Sequence, residues 1–466
     1  MIVSSTIWEP SLANAGKSKY KALAQAIRDG IVSGQLVPGS KLPPVRDLAF
    51  RVKITPGTVA RAYSLLTEEG LLRAEVGRGT FVAKDRARPI EAVSPLVNLP
   101  LDTLADFRSS RVPDVGQGRI IDAALIRIGE SHRRRHINYP TAETDFEARA
   151  AVANWVDQKR LGGVTPGDIV LGYGAQNCCI LALQTELHGP NPVILTEELA
   201  YPGTRHAGRL LRAQTVGLPM DDEGILPDAL FQAYRTHGGQ VLLTAAEVHS
   251  PTTTRTSLAR KIEIARVARQ MNITIIEDDC HTTTVTDIPS YRAILPEQSY
   301  LVSSLTKSVS GALRFGYAIA PVGLNKGLRQ TAQSSFYGVS QPILDLCHYL
   351  LTSGAAGEIR DRVVLETSRR VRIAVNILGA WDLRWRDDAP FVYLNMPQGW
   401  RASSFALACE KRGILIKPAD EFSLSDGFAP NAVRLAINTC VADELFLRAL
   451  NDMNDLLANP SVLVDS

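Results

Sequence analysis

Cysteine is scarce and unpatterned in this 466-residue chain. The six residues, Cys178, Cys179, Cys280, Cys347, Cys409 and Cys440, contain no C-x-x-C pair. The chain is long enough to build a large core without covalent staples. This argues against a disulfide scaffold and a structural zinc site, and for a reducing cytoplasm. No run of ~18 apolar residues occurs, so no transmembrane helix is expected. The start, MIVSSTIWEP, has no basic stretch leading into an apolar one, and no secretory signal is expected. Internal repeats and low-complexity tracts are also missing. What is present is an apolar content of 45% with 21% charged residues, which excludes a largely disordered chain. At roughly 100–200 residues per domain, the length accommodates about two to four domains or subdomains.

The net charge of +3 hides an asymmetry. Residues 17–86 hold 13 Lys/Arg and 6 Asp/Glu, a balance of +7, which leaves −4 for the remainder. A small basic head on a slightly acidic body suits a polyanion-binding module. Chance clustering on a solvated face is the alternative that the motifs must decide.

The head has strong local signals. Tyr20, Leu23, Ala24, Ile27 and Ile31 make a helical stripe over residues 20–33, ended by Gly34 and the Pro38-Gly39 turn. Leu42, Val45, Leu48, Ala49 and Val52 make a second stripe, opened by Pro43-Pro44. Thr55 can cap a third helix, with Pro56 at its first position and Gly70 at its end. Val59, Ala62, Tyr63 and Leu66 form its buried face. Two short strands, 71–75 and 79–83, follow around Val76-Gly77-Arg78. Three helices and a hairpin in a basic segment predict a winged helix-turn-helix with the third helix in the major groove of double-stranded DNA. Thr58 and Arg61 suit base edges or phosphate, as does Thr55 at the helix start. Arg46 can hold a phosphate at the start of the second helix. Gly77 and Arg78 can reach the minor groove or backbone. Solvated arginines are the alternative reading of Arg46 and Arg61.

The stretch IVSGQLVPGSKLPPVRDLAFRVKITPGTVARAYSLLTEEGLLRAEVGRGTFVA resembles the GntR-family DNA-binding domain nearly end to end. The shared pieces are G-x-L-x-P-G-x-x-L-P-x-x-R-x-L-A, T-V-x-x-A-Y-x-x-L-x-x-E-G and G-x-G-T-F-V. One departure is Thr55-Pro56, where the family commonly has Ser-Arg, so one usual DNA-contacting arginine is missing. The resemblance sets a DNA-binding domain at 17–85. Residues 86–115, with Pro89, Pro95, Pro100 and Pro113, read as a linker and irregular lead-in.

From about residue 116, helices alternate with short apolar strands. DIVLGYG, PVILTEE, VLLTAAE, ITIIEDD, YLVSSL and RFGYAIAP read as strands, and AQNCCILALQTEL and LARKIEIARVARQM as helices. The pattern predicts an α/β sandwich with a mostly parallel sheet and ligand-binding residues at its C-terminal strand ends. Asp278 ends one strand, where a carboxylate can keep a pyridinium nitrogen protonated. Lys307, flanked by hydroxyls, can form a Schiff base. Ser304 and Arg314 can bind a phosphate, cradled further by the helix start Gly174-Ala175-Gln176. Tyr201 can stack on a flat ring. Each alone is weak: strand-end aspartates usually cap helices and lone lysines are usually solvated. Cys280-His281 offers too few ligands for a metal.

Their order is stronger. The run from INYP through GYGAQ, TEELAYPG, HSPTTTRTSLARK, IIEDD and SSLTKSVSGALRFGY to AVRLAIN resembles fold-type I aminotransferases over roughly 350 residues. A GntR head on such a body resembles the MocR subfamily of transcriptional regulators. The resemblance implies pyridoxal 5'-phosphate (PLP) on Lys307, within a body, 116–466, that senses an effector and dimerises. It also implies Asp278 as partner of the ring nitrogen, Arg314 as a phosphate ligand, and Arg434 as the grip on an effector carboxylate, a bidentate task suited to guanidinium. Tyr139 would reach the phosphate of the neighbouring subunit. A strand-edge ion pair is the alternative for Arg434.

Departures from the family change the groups that the resemblance assigns to tuning the ring hydroxyl, among others. Cys280 stands for a tyrosine, Ser250 for an asparagine, and Thr253 for the glycine of a P-T-G turn; the glycine of the segment after Tyr139 is also replaced. They favour a sensor over an efficient transaminase. The expected protein is a homodimeric, PLP-dependent regulator that binds operator DNA and responds to a small amino compound by exchange at Lys307. An aminotransferase with an accessory DNA-binding domain is the runner-up, and a PLP-free dimerisation scaffold the third reading.

Overall fold

The computed structural model describes residues 19–68, 71–75, 79–83, 104–131, 137–424, 429–437 and 441–459. The chain forms two compact units that divide after Pro95.

In the first unit, α1 (Lys19–Val32), α2 (Val45–Arg51) and α3 (Pro56–Glu68) precede a hairpin of β1 (Leu72–Glu75) and β2 (Gly79–Val82). The apolar stripes explain the packing. Leu23, Ala24 and Ile27 of α1 meet Leu48 and Ala49 of α2 and Val59, Ala62, Tyr63 and Leu66 of α3 in one buried cluster. Tyr63 donates its hydroxyl to the Pro43 carbonyl at 2.8 Å, so the ring is buried without stranding its polar end. The Thr55 side chain accepts from the Thr58 amide at 3.3 Å and caps α3.

The second unit is built on a seven-stranded sheet. Its strands are β4 (Ile169–Gly172), β5 (Val193–Glu197), β6 (Gln214–Leu218), β7 (Val241–Thr244), β8 (Thr274–Asp278), β9 (Ser299–Ser304) and β10 (Gly316–Ile319), preceded in the chain by the short β3 (Ala105–Asp106). The spatial order is β4-β10-β9-β8-β7-β5-β6. Only β10 runs antiparallel to its neighbours, β9 and β4. Most of these strands are buried on both faces, as their continuous apolar runs require. Helix α4 (Ala175–Glu186) follows β4, and α5 (Leu258–Met271) covers β7 and β8 with Ile264, Ala265, Val267 and Ala268. Ser257 caps α5 by accepting from the Arg260 amide.

The long helix α6 (Ala355–Leu378) leads to a smaller antiparallel sheet: Leu383–Arg384, β11 (Phe391–Asn395), β12 (Ala432–Ala436) and Lys417–Pro418. This sheet has its own core, with Val392, Leu394, Val433 and Leu435 against Phe405, Phe446, Leu450 and Met453. Residues 86–115 read from sequence as a linker and an irregular lead-in to the second domain. The described part of this stretch, from residue 104, belongs to the second unit: β3 pairs in parallel with Ile414–Leu415, and Phe107 is fully buried in the same core. A two-residue strand is too short to show a period, which is why its sequence resembles a loop.

Candidate functional site

The C-terminal ends of the central strands converge on a cavity of about 640 Å³. Glu197, Thr244, Asp278 and Ser304, at the ends of β5, β7, β8 and β9, line it with Ala175 and Gln176 from the start of α4. Tyr201, Lys307, Arg314 and Arg434 complete the set singled out from sequence. Gly174 stands just behind, at φ +83°, where a Cβ would lie 2.9 Å from the Arg314 guanidinium. The bare glycine therefore lets Arg314 lie against the helix start, where it donates to the Tyr173 carbonyl at 3.0 Å. Gly203 serves similarly, since a Cβ there would collide with Gln176 and the Tyr201 ring.

The loop that carries Lys307 is pinned at its neck and within. The Leu305 amide donates to the Phe315 carbonyl at 3.0 Å, and Leu305, Val309, Leu313 and Phe315 are buried in the core. The Lys307 ammonium is drawn below its ordinary pKa by desolvation, with Arg434 and Arg314 adding to the effect. Burial holds the Asp278 carboxyl above the usual carboxylate value; the Cys280 amide donates to it at 3.1 Å. The adjacent Asp279 is spent on Arg160, with two bonds of 2.6 and 2.8 Å. Burial pushes Tyr201 up to about 12, so its phenol is neutral at ordinary pH. It raises the Cys280 thiol, helped by Asp278, and lowers His281. Both are neutral. Their contact is a weak one, 3.6 Å from Sγ to Nδ1, and no group of three or more potential metal ligands occurs among the described residues.

Arg434 is a buried cation with no acid within ion-pair reach among the described residues. It is 5% exposed, and burial pushes its pKa down to about 10. Its guanidinium lies 4.9 Å from the Phe422 ring centroid, donates to Ser250 Oγ at 3.3 Å and to the Arg108 carbonyl, and has a buried Nε without a partner. An uncompensated buried arginine is costly, and a carboxylate ligand would satisfy it.

Sequence reading missed one wall of the cavity. Arg108, Ser109, Ser110, Arg111 and Val112 line it, and Lys307 Nζ donates to the Ser110 carbonyl at 2.6 Å. Arg108 is itself forked onto Asp106, both bonds 3.0 Å. Nothing in a proline-spaced segment marks backbone carbonyls as partners. Tyr139 is not in the cavity of its own chain; it is 78% exposed, its ring 5.8 Å from that of Tyr337. Thr253 keeps the left-handed conformation, φ +63°, at the position where the resemblance places glycine.

In the first unit, Arg46 and Arg61 are exposed on α2 and α3. The Arg61 guanidinium lies 4.3 Å from the Tyr20 ring centroid. Thr55 and Thr58 hydroxyls are 2.8 Å apart at the start of α3. Gly77 and Arg78 fall outside the described residues.

Family comparisons agree with this division. The pattern of aminotransferase class I and II matches residues 112–451, well over half of the chain, and that of bacterial regulatory proteins of the gntR family matches 19–82. The chain belongs to the class I and II aminotransferase family. With its gntR-family head, it has the MocR-type architecture. Among its relatives, the HTH-type transcriptional regulator YdeF of Bacillus subtilis (strain 168) is 25% identical over 92% of each chain. The HTH-type pyridoxine biosynthesis transcriptional regulator PdxR of Corynebacterium glutamicum is 26% identical over 73% of this chain and 74% of that one. Among solved structures, the α-aminoadipate aminotransferase LysN of Thermus thermophilus, complexed with N-(5'-phosphopyridoxyl)-L-leucine, shares the fold of the body. Its TM-score is 0.68 at 21% identity, covering 78% of this chain and 94% of LysN.

Proposed function

We propose that this protein is a PLP-dependent, DNA-binding transcriptional regulator whose body senses an amino compound at Lys307. The observation that carries the reading is the convergence of four chemistries in one cavity. Lys307 offers an amine; Asp278 offers a carboxylate for a ring nitrogen. Arg314, Ser304 and the start of α4 offer a phosphate cradle, and Arg434 waits for a carboxylate. The donor set fits PLP, and the bare Gly174, whose Cβ would collide with Arg314, lets that guanidinium lie beside the start of α4, where the two can face one anion. When bound, PLP supplies an aldehyde carbon that amines exchange on. Tyr201 would cover its ring. Lys307 would hold that carbon and Arg434 the carboxylate of an amino-compound effector, and such a ligand would bias one state of the protein by its difference in affinity between states.

Thr55, Thr58, Arg46 and Arg61 supply the groove-facing groups of the head, with Gly77 and Arg78 as further contacts. A homodimer in the cytoplasm places two heads on one operator and lets Tyr139, exposed on its own chain, reach the neighbour's cofactor. No helix among the described residues is long and apolar enough to cross a membrane.

The test is an absorbance spectrum of the purified protein, borohydride reduction with peptide mapping, and DNA affinity with and without an amine that shifts the spectrum. Label on Lys307 and a shift in DNA affinity are expected. Label on another lysine sinks the assignment. Rapid turnover of the amine with DNA affinity unmoved would make the protein an aminotransferase with an accessory head.

A further inference from the structure

Residues 105–112 form a strap across the cavity. At one end they are bolted to the smaller sheet region: the Ala105 amide donates to the Gly413 carbonyl at 2.9 Å, the Phe107 amide to Leu415 at 2.7 Å, and the Phe107 carbonyl accepts from Ala436 at 2.8 Å. Phe107 is fully buried. Beyond this anchor, two carbonyls two residues apart meet the two cations a ligand must engage. The Arg108 carbonyl accepts from Arg434 on β12, and the Ser110 carbonyl accepts from Lys307 on the loop after β9. The strap therefore ties the smaller sheet to the larger one through the groups that read the ligand. It is also the stretch of body that the chain enters after the DNA-binding head.

Resting on the reading that Lys307 carries PLP, we propose that the strap is the ligand-read element of the regulator. It exchanges one tie for the other when an amino acid-like effector binds. Lys307 held on the cofactor has no ammonium to give. An incoming primary amine forms the carbon–nitrogen double bond as the one to Nζ breaks, and its two protons pass to Nζ. The released amine is then able to donate to the Ser110 carbonyl, 2.6 Å away in the geometry observed. The effector carboxylate meanwhile displaces the Arg108 carbonyl from Arg434, since a charged acceptor outcompetes a neutral one for guanidinium. The strap is thus held at Ser110 and let go at Arg108. An amine without a carboxylate gains the first tie and keeps the second. The strap tells the two classes of ligand apart by its own mobility.

Two small probes separate these effects on the full chain loaded with PLP. Methoxyamine, the O-methyl ether of hydroxylamine, exchanges at the carbon and has no carboxylate; aminooxyacetate does the same and has one. Absorbance shows whether each has reached the carbon, and hydrogen exchange reads amides 104–115. Methoxyamine should slow exchange across the strap by about two- to tenfold, the weight of one added hydrogen bond from a neutral amine. Aminooxyacetate should leave 110–112 slowed and make 107–109 faster than with methoxyamine. If both probes shift the spectrum and the two exchange patterns are the same, or neither differs from PLP alone, the strap is overturned while the cofactor reading stands. If the spectrum does not respond to either, the reading of Lys307 falls and the strap with it.

Discussion

Asp278 and Asp279 are neighbours in the chain with opposite partners: Arg160 forks onto Asp279 at 2.6 and 2.8 Å, and Asp278 faces the cavity with no arginine or lysine in ion-pair reach among the described residues. Burial holds the Asp278 carboxyl above its ordinary value. A raised carboxyl pKa means that the folded state binds the proton more tightly than the unfolded one. Its favourable contribution is present below the unfolded value and lost as pH rises through the folded one. In the cofactor-free protein, Asp278→Asn should therefore be stabilising, with a melting-temperature gain that widens as pH rises through that interval. With PLP, the same change should weaken cofactor binding by about 2–5 kcal/mol, the cost of truncating one side of a buried charge pair. Thermal melts across pH with and without PLP check both signs. A gain that shrinks with rising pH contradicts the assignment.

Arg434→Ala should weaken amines that carry a carboxylate by about 1.5–3 kcal/mol, the range for hydrogen bonds to charged groups. Amines without one should bind as before. Spectral titration of the PLP-loaded protein with matched pairs of ligands measures the difference. Equal losses for both classes would mean that Arg434 only shapes the cavity.

Thr253→Gly should stabilise the protein. The left-handed backbone costs a residue with a Cβ roughly 1–2 kcal/mol, and the greater freedom of unfolded glycine takes back about half to one. A denaturant midpoint higher by up to about 1.5 kcal/mol of stability is expected at unchanged slope. A lower midpoint would show that the buried threonine side chain contributes more than its backbone costs.

Arg46→Ala and Arg61→Ala should each weaken binding to a duplex selected by the wild-type protein by about 1–3 kcal/mol, with PLP binding intact. Whichever arginine contacts phosphate should also lower the salt slope by about one. Binding assays at several salt concentrations distinguish the roles, and unchanged affinity in both variants removes the groove-entry model.

The repeating parts of this fold were legible. The stripe Val59, Ala62, Tyr63, Leu66 packs one face of α3, and the run TIIED becomes β8, because periodicity records which side chains meet the core. The cavity positions of Asp278 and Ser304 were legible because strand-end positions in α/β sheets face the ligand side, and that of Lys307 because it follows such an end by three residues. Arg108 and Ser110 were not, since what they bring to the cavity is backbone, which every residue possesses. Nor could sequence spacing tell why Asp278 rather than Asp279 faces the cavity. Arg160, 119 positions from Asp279, pairs with that second carboxylate.

The reversal of β10 has a consequence for how the site tolerates drift. Because that strand returns antiparallel beside β9, the chain leaves the sheet after Ser304, passes Lys307 and comes back at Arg314 to the same rim. The spacing of Lys307 and Arg314 is thus gauged by a single closed loop, fastened at its neck by Leu305 and Phe315. Distant segments can diverge without altering that gauge. An insertion or deletion between Leu305 and Phe315 would change that spacing directly, while leaving the pairing of β9 with β10 in place.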